Sequence, residues 1–207
     1  GKGYNLKDYD GNYYDDVASD LKEGPAHPQS AMGSLAALAY ARYKAAVSPI
    51  AFVSMDNCSH NGERIRQAFL TFASAWEAKG YTDKGFTAYI EEKTAFPYSM
   101  IDKIVPGPSP KVQSYLKECG FADTEYIKAG RSTYALFVNA APQEYLVIED
   151  TFPNGRPPLE KAGVIFTDRE TVNQCERMKV GTCLNPLHTA LAVYGCLLGY
   201  VKDRKSV

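Results

Sequence analysis

Lys179 lies in a run of residues, Val172, Cys175, Lys179 and Cys183, that share one face at helical spacing and are otherwise apolar or weakly polar. Burying a lysine costs free energy, because the ammonium loses its hydration. The same desolvation lowers the pKa of the amine, so a lysine on such a face can take and return a proton near neutral pH. The bland alternative is a surface lysine paired with Glu176. Asn185 and His188 stand three apart, neighbours on one helical turn, and both can donate to an oxygen. Pro186 between them removes a helical hydrogen bond, so the helix kinks or restarts there and opens room for a ligand. Equally, Asn185 could simply cap a helix restarting at Pro186. Asp56-Asn57 follows an apolar run and is either a ligand-facing pair or an Asx turn. Asp102 reads as a site carboxylate or an exposed ion pair with Lys103, and Arg156 as an anion binder or a brace for its proline-rich loop.

The elements that must position these residues follow from pattern. Asp10-Gly11-Asn12 reads as a hairpin turn within a turn-rich opening, 1–24. Leu35, Ala39 and Tyr43 predict a helix over Ser30–Ala46. Ile50–Met55 is short and apolar, the mark of a buried strand. It runs into the polar loop Asp56–Gly62, then into a helix, Glu63–Lys79, carrying Ile65, Phe69, Phe72 and Trp76 on one face, with Asn61 as its expected N-cap. Strand, loop, helix is where open α/β sheets place ligand-binding groups. A short helix follows over Lys84–Lys93, then an extended stretch, Thr94–Pro110. Pro110 starts another helix that stops at Gly120. Tyr145–Glu149 and Gly163–Phe166 read as strands, Thr167 or Asp168 caps a helix beyond them, and Leu187, Leu191, Tyr194 and Leu198 form the stripe of a last helix ending at Gly199.

Composition narrows the class. The chain has 207 residues, 45% hydrophobic and 23% charged, with a formal net charge of -1, so no overall field draws it to nucleic acid or anionic lipid. Its five cysteines contain no CxxC pair, which fits a reducing cytoplasm better than a disulfide framework. The opening GKGYNLKDYD carries no signal-peptide pattern, and the apolar run Leu187–Val201 is shorter than a membrane span of about 20 residues. Cys58 with His60, and Cys183 with His188, lack zinc-motif spacing, so no metal is expected. No GxSxG, P-loop or GxGxxG occurs in the sequence.

Four segments, in order, resemble the polyol-specific long-chain dehydrogenases, the family of mannitol 2-dehydrogenase, fructuronate reductase and tagaturonate reductase. Val53–Gly62 (VSMDNCSHNG) is similar to that family's V-x-S-C-D-N-x-x-x-N-G segment, with Met55 in place of the usual Cys. Phe96–Pro106 (FPYSMIDKIVP) is similar to F-P-x-x-M-V-D-R-I-x-P, with Lys103 in place of Arg. Glu149-Asp150-Thr151-Phe152, Gly155-Arg156-Pro157 and Gly163-Val164 are similar to E-D-x-F…G-R-P…G-V. Glu176-Arg177-Met178-Lys179, with Asn185 and His188, is similar to E-x-M-K…N-x-x-H. Asn185 lies one residue further from Lys179 than in many relatives. A π-bulge before Pro186 is expected to absorb the extra turn of about 100°.

The resemblance implies an α/β fold: the C-terminal part of a Rossmann-like dinucleotide-binding domain over residues 1–93, then the N-terminal part of a mainly α-helical, mannitol-dehydrogenase-type substrate domain over 94–207. It implies an NAD(P)-dependent enzyme interconverting a sugar alcohol or aldonate with its ketose or keto-hexuronate. Lys179 would be the general acid/base. Asn57 and Asn185 would hold the reacting oxygen, His188 a neighbouring hydroxyl, Glu176 would relay the proton, and Asp102 would face the substrate. The implied cofactor is NAD or NADP, held by a glycine-rich loop that this sequence does not contain, so no cofactor-binding residue is assigned. The implied partner is a small polyol or sugar acid, without nucleic acid or membrane. The chain starts without Met and ends at KDRKSV, so it is expected to be a piece of a longer protein. Two rival readings are an inactive fragment serving as a scaffold or binding domain, and a Schiff-base role for Lys179.

Overall fold

The computed structural model describes residues 3–46, 48–103, 105, 107–140 and 145–199. Ile104 and Pro106 of the F-P-x-x-M segment, Val201 of the apolar run and the closing KDRKSV lie outside the described residues. The chain divides into two compact units, Gly1–Ile101 with Tyr145–Gly181, and Asp102–Glu144 with Thr182–Val207.

The first unit opens with a turn in which the Asp8 carboxylate accepts from the backbone N–H groups of Asp10 and Asn12, with one antiparallel bridge, Lys7 to Tyr13. The segment 1–24 is not turn-rich throughout: α1 (Asp15–Glu23) forms, with Asp15 and Asp16 in its first turn favouring the positive helix end. Only Val17 and Leu21 supply its apolar spacing, too few to stand out in the sequence. Ser30 caps α2 (Ala31–Ala46), accepting from the Gly33 N–H at 3.0 Å.

β1 (Ile50–Ala51) is shorter than the expected strand. It pairs in parallel with β2 (Thr94–Ala95), and the ladder ends where the Phe52 N–H donates to the Ala95 carbonyl at 2.9 Å. Parallel strands need a crossover; here it consists of α3 (Asn61–Ala78) and α4 (Phe86–Glu92). Ile65, Phe69, Phe72 and Trp76 of α3 are buried against residues of α1, α2 and α4 such as Leu21, Ala36 and Phe86. Each such Phe contributes roughly 1.5–3 kcal/mol by leaving water.

A second sheet of the same unit has the order β3 (Ser99–Met100), β6 (Leu146–Glu149), β7 (Val164–Thr167), with β3 antiparallel and β7 parallel to β6. Helix α6 (Arg169–Glu176) covers it through Val172, and Asp168 caps α6 by accepting from the Thr171 N–H at 2.9 Å. The expected face Val172–Cys175–Lys179–Cys183 does not continue as one stripe. Val172 is buried, Cys175 and Lys179 are half-buried and Cys183 is exposed, because the backbone changes from α- to π-helical at Arg177 and the side chains rotate off the α-spacing.

The second unit holds α5 (Pro110–Glu118), the hairpin β4 (Tyr126–Ala129) with β5 (Ser132–Ala135), and α7 (Asn185–Leu197). The sequence reading did not anticipate that hairpin. Among the described residues, no helix is long and apolar enough to cross a membrane.

Candidate functional site

The Asp56–His60 loop follows four residues after β1 stops pairing at Phe52. Ser54 is buried at its base: its hydroxyl bonds the Tyr4 hydroxyl at 2.7 Å and accepts from the Asp56 N–H, while its carbonyl accepts from the Ser99 hydroxyl. Asn57 is exposed. The loop closes through His60, the one non-glycine with positive φ (53°) among the described residues. Asn61 is not the N-cap of α3. It is the first residue of the helix, and its side chain turns inward. The amide nitrogen donates to the Asp56 carbonyl (3.0 Å) and to the carbonyl and hydroxyl of Ser99 (2.9 and 3.0 Å), and the amide oxygen accepts from the Ser99 N–H (3.1 Å). The next residue must be glycine, since a Cβ at Gly62 would drive into the Phe96 carbonyl oxygen and the Tyr98 ring.

Lys179 lies in a π-helical run, Arg177–Leu184, that follows α6 directly. π-Helical backbone is rare and frequently marks functional sites. This run falls where the one-residue excess before Pro186 called for a widened helix. Lys179 is half-buried, with Nζ over the Tyr145 ring, 3.5 Å from its centroid. Glu176, one turn earlier, is half-buried. Burial pushes the Cys58 thiol up from its ordinary pKa, aided by the negative charge of Asp56 and, more weakly, of Glu176, against Arg64. Burial likewise raises Tyr98, with Arg169 opposing and Glu63, Glu149 and Glu176 adding to the rise. Two segments far apart in sequence, Asn57-Cys58 and Glu176-Lys179, thus belong to one unit.

Of the remaining candidates, Asp102, Asn185 and His188 belong to the second unit, and Arg156 to the first. Asp102 is buried rather than exposed. Asn185 is the first residue of α7 and exposed; the cap position is held by Leu184, so Asn185 is not the cap. His188, three residues on, is exposed on the same helix. Arg156 braces its loop. It forms a two-pronged pair with Asp150 (2.9 and 3.1 Å), a bond to Glu160 at 2.6 Å, and lies 3.5 Å from the centroid of the Phe166 ring. The hydrogen bond from Arg156 holds the Asp150 carboxyl below its usual pKa. Among the described residues, no group of three or more His, Cys, Asp or Glu is placed to hold a metal ion.

The sequence reading missed three supports of this site. Tyr145 carries the Lys179 ammonium, and no pattern in the sequence marks it. Glu149, buried, accepts from the Tyr98 N–H (3.0 Å) and from Arg169 (3.1 Å), whose guanidinium stacks on the Tyr98 ring. Asn61 ties the loop down; the Asn-Gly pair at a helix start was its signal, read there as capping.

Comparison with known proteins bears on what this arrangement belongs to. The family model for the mannitol dehydrogenase Rossmann domain matches residues 18–161. A D-mannonate oxidoreductase of Thermotoga maritima is 52% identical over 204 residues, 97% of this chain and 38% of that protein. The chain therefore spans well under half the length of this relative. A D-sorbitol dehydrogenase structure in substrate-free form superimposes with a TM-score of 0.72 at 29% identity, covering 99% of this chain and 40% of that one. The Pseudomonas fluorescens mannitol 2-dehydrogenase, solved as a ternary complex with NAD and D-mannitol, gives 0.70 at 32% identity, over 96% of this chain and 37% of that one. The fold is the expected α/β one, and the chain belongs to the mannitol dehydrogenase family of polyol-specific long-chain dehydrogenases.

Proposed function

We propose that the chain is part of an NAD(P)-dependent oxidoreductase that interconverts D-mannonate and its keto-hexuronate, fructuronate, with Lys179 as the proton-transfer residue. The observation that carries the reading is the 52% identity to a D-mannonate oxidoreductase over 97% of this chain, joined to a half-buried Lys179 in a π-helical run with its ammonium on the Tyr145 ring. The aldonate is favoured over a neutral polyol by the 52% identity to a D-mannonate oxidoreductase.

Oxidising a secondary alcohol removes a proton from its oxygen and a hydride from its carbon. Lys179, as the neutral amine, accepts the hydroxyl proton; on reduction its ammonium returns that proton to the alkoxide oxygen. Asn57, and in the same capacity Asn185, donates an N–H to the oxygen as negative charge builds there. His188 hydrogen-bonds a neighbouring hydroxyl, and Asp102 accepts from another. Glu176 passes the proton between Lys179 and solvent. Tyr145 limits the directions the lysine can take, since its ring face holds the ammonium. When bound, the nicotinamide dinucleotide supplies the hydride acceptor or donor. The loop at the carboxyl end of the parallel pair β1–β2 suits a ligand of this kind, being the edge where such sheets receive nucleotides.

The test is a substrate panel. The full-length protein is assayed with D-mannonate, D-mannitol and D-sorbitol, each with NAD and with NADP. D-mannonate is expected to give the highest kcat/KM. Preference for a neutral polyol would overturn the choice of substrate, and no turnover of any of the three would overturn the oxidoreductase reading.

A further inference from the structure

We propose that Asn61 is the positioning residue that aims Asn57 at the reacting oxygen, an inference that rests on the reading of Asn57 as an N–H donor. Beyond Phe52 the chain leaves its sheet, and no ladder holds it until α3 begins. Within that interval Ser54 is pinned at the loop's base, and the Asp56 carbonyl accepts from the Asn61 amide at 3.0 Å. That carbonyl and the N–H of Asn57 belong to one planar peptide group. Fixing the carbonyl therefore fixes the N–Cα bond of Asn57, the axis about which its side chain swings. Asn61 is itself over-determined. It is 2% exposed, and its remaining contacts all go to Ser99 on β3, whose partner strand β6 lies in the sheet core. The chemistry selects an amide: the position must donate to two carbonyls and accept from one backbone N–H, which a carboxylate or an aliphatic chain cannot do. Gly62 lets the helix start approach closely enough for these bonds to form.

A role in packing alone would lower stability without singling out Asn57. A double-mutant cycle in the full-length protein separates the two. Asn61→Asp keeps the shape but turns a carboxylate oxygen toward the Asp56 and Ser99 carbonyls. It is expected to lower kcat by about 100-fold, the scale of an ångström's misplacement, with the dinucleotide KM unchanged. In an Asn57→Ala background the same substitution is expected to cause no further loss. Ser99→Ala, which removes only a hydroxyl, covers the case in which Asn61→Asp does not fold. It is expected to produce a smaller fall in kcat that also vanishes in the Asn57→Ala background. Losses that multiply, or a folded Asn61→Asp protein with undiminished kcat, would overturn the proposal. Undiminished kcat in Asn57→Ala alone would instead strike down the donor reading beneath it.

Discussion

Helices α3 and α7 carry the same apolar spacing and end in opposite states. Ile65, Phe69, Phe72 and Trp76 on α3 repeat at the intervals of Leu187, Leu191 and Tyr194 on α7 and Leu198 at its C-cap. Phe69 and Trp76 are 0% exposed, whereas Leu191 is 64% and Tyr194 65% exposed. Helical periodicity decides which residues share a face; burial depends on a second layer being present to receive it. Around α3 that layer is α1, α2 and α4. Among the described residues, α7 has no buried position. The asparagines that head the two helices differ in the same way. Asn61 is locked by bonds to Asp56 and Ser99, while Asn185 is exposed.

The sharpest way to break this comparison is truncation on the buried face. Trp76→Ala, which also removes the indole N–H donated to the Asp20 carbonyl at 2.8 Å, should cost about 3–5 kcal/mol in urea unfolding. A loss under about 1 kcal/mol would mean that the α3 face is not the core. The thiols sharpen the contrast. Burial raises Cys58, next to α3, whereas Cys196 on α7 is exposed. Since the thiolate is the reactive form, timed alkylation at pH 8 followed by peptide mass analysis should label Cys196 well before Cys58. The reverse order would place the Asp56–His60 loop in the open.

A smaller effect concerns the helix leading to Lys179. The Thr171 N–H and hydroxyl hold the Asp168 carboxyl below its ordinary pKa. A depressed folded-state pKa contributes stability above the unfolded value of about 3.9 and loses it as pH falls through the folded value. The melting-temperature gap between wild type and Asp168→Ala should therefore be constant from neutral pH to about 5 and shrink below about 4. A gap that widens in acid would contradict the cap. Smallest of all is Leu191→Ala in the 207-residue chain, expected within about 0.5 kcal/mol of that chain unchanged because nothing described packs over it. A cost like that of Trp76→Ala would show that something covers α7 in solution.

What the sequence made legible follows the same division. Helices with a complete apolar stripe, α2 and α3, were readable, as were the Pro110 start of α5, the Asp168 cap and the two strands around the Arg156 loop. The backbone widening before Pro186 was readable too, because a one-residue excess in a helix has few ways to be absorbed. Helix α1 was hidden by its two-residue stripe. The β4–β5 hairpin was hidden because its strands are largely exposed and show no buried alternation. At the candidate site, the side chains proposed to react were named through motif order. Their supports were not: Tyr145, Glu149 and the inward turn of Asn61 are long-range contacts that leave no local pattern.

The account stands most directly on Lys179. Full-length protein carrying Lys179→Ala is assayed for turnover of the best substrate, and its dinucleotide affinity is measured by fluorescence titration. Turnover should fall by roughly 10²–10⁴-fold, the worth of a positioned proton-transfer group, with dinucleotide affinity unchanged. Turnover close to wild type would contradict it.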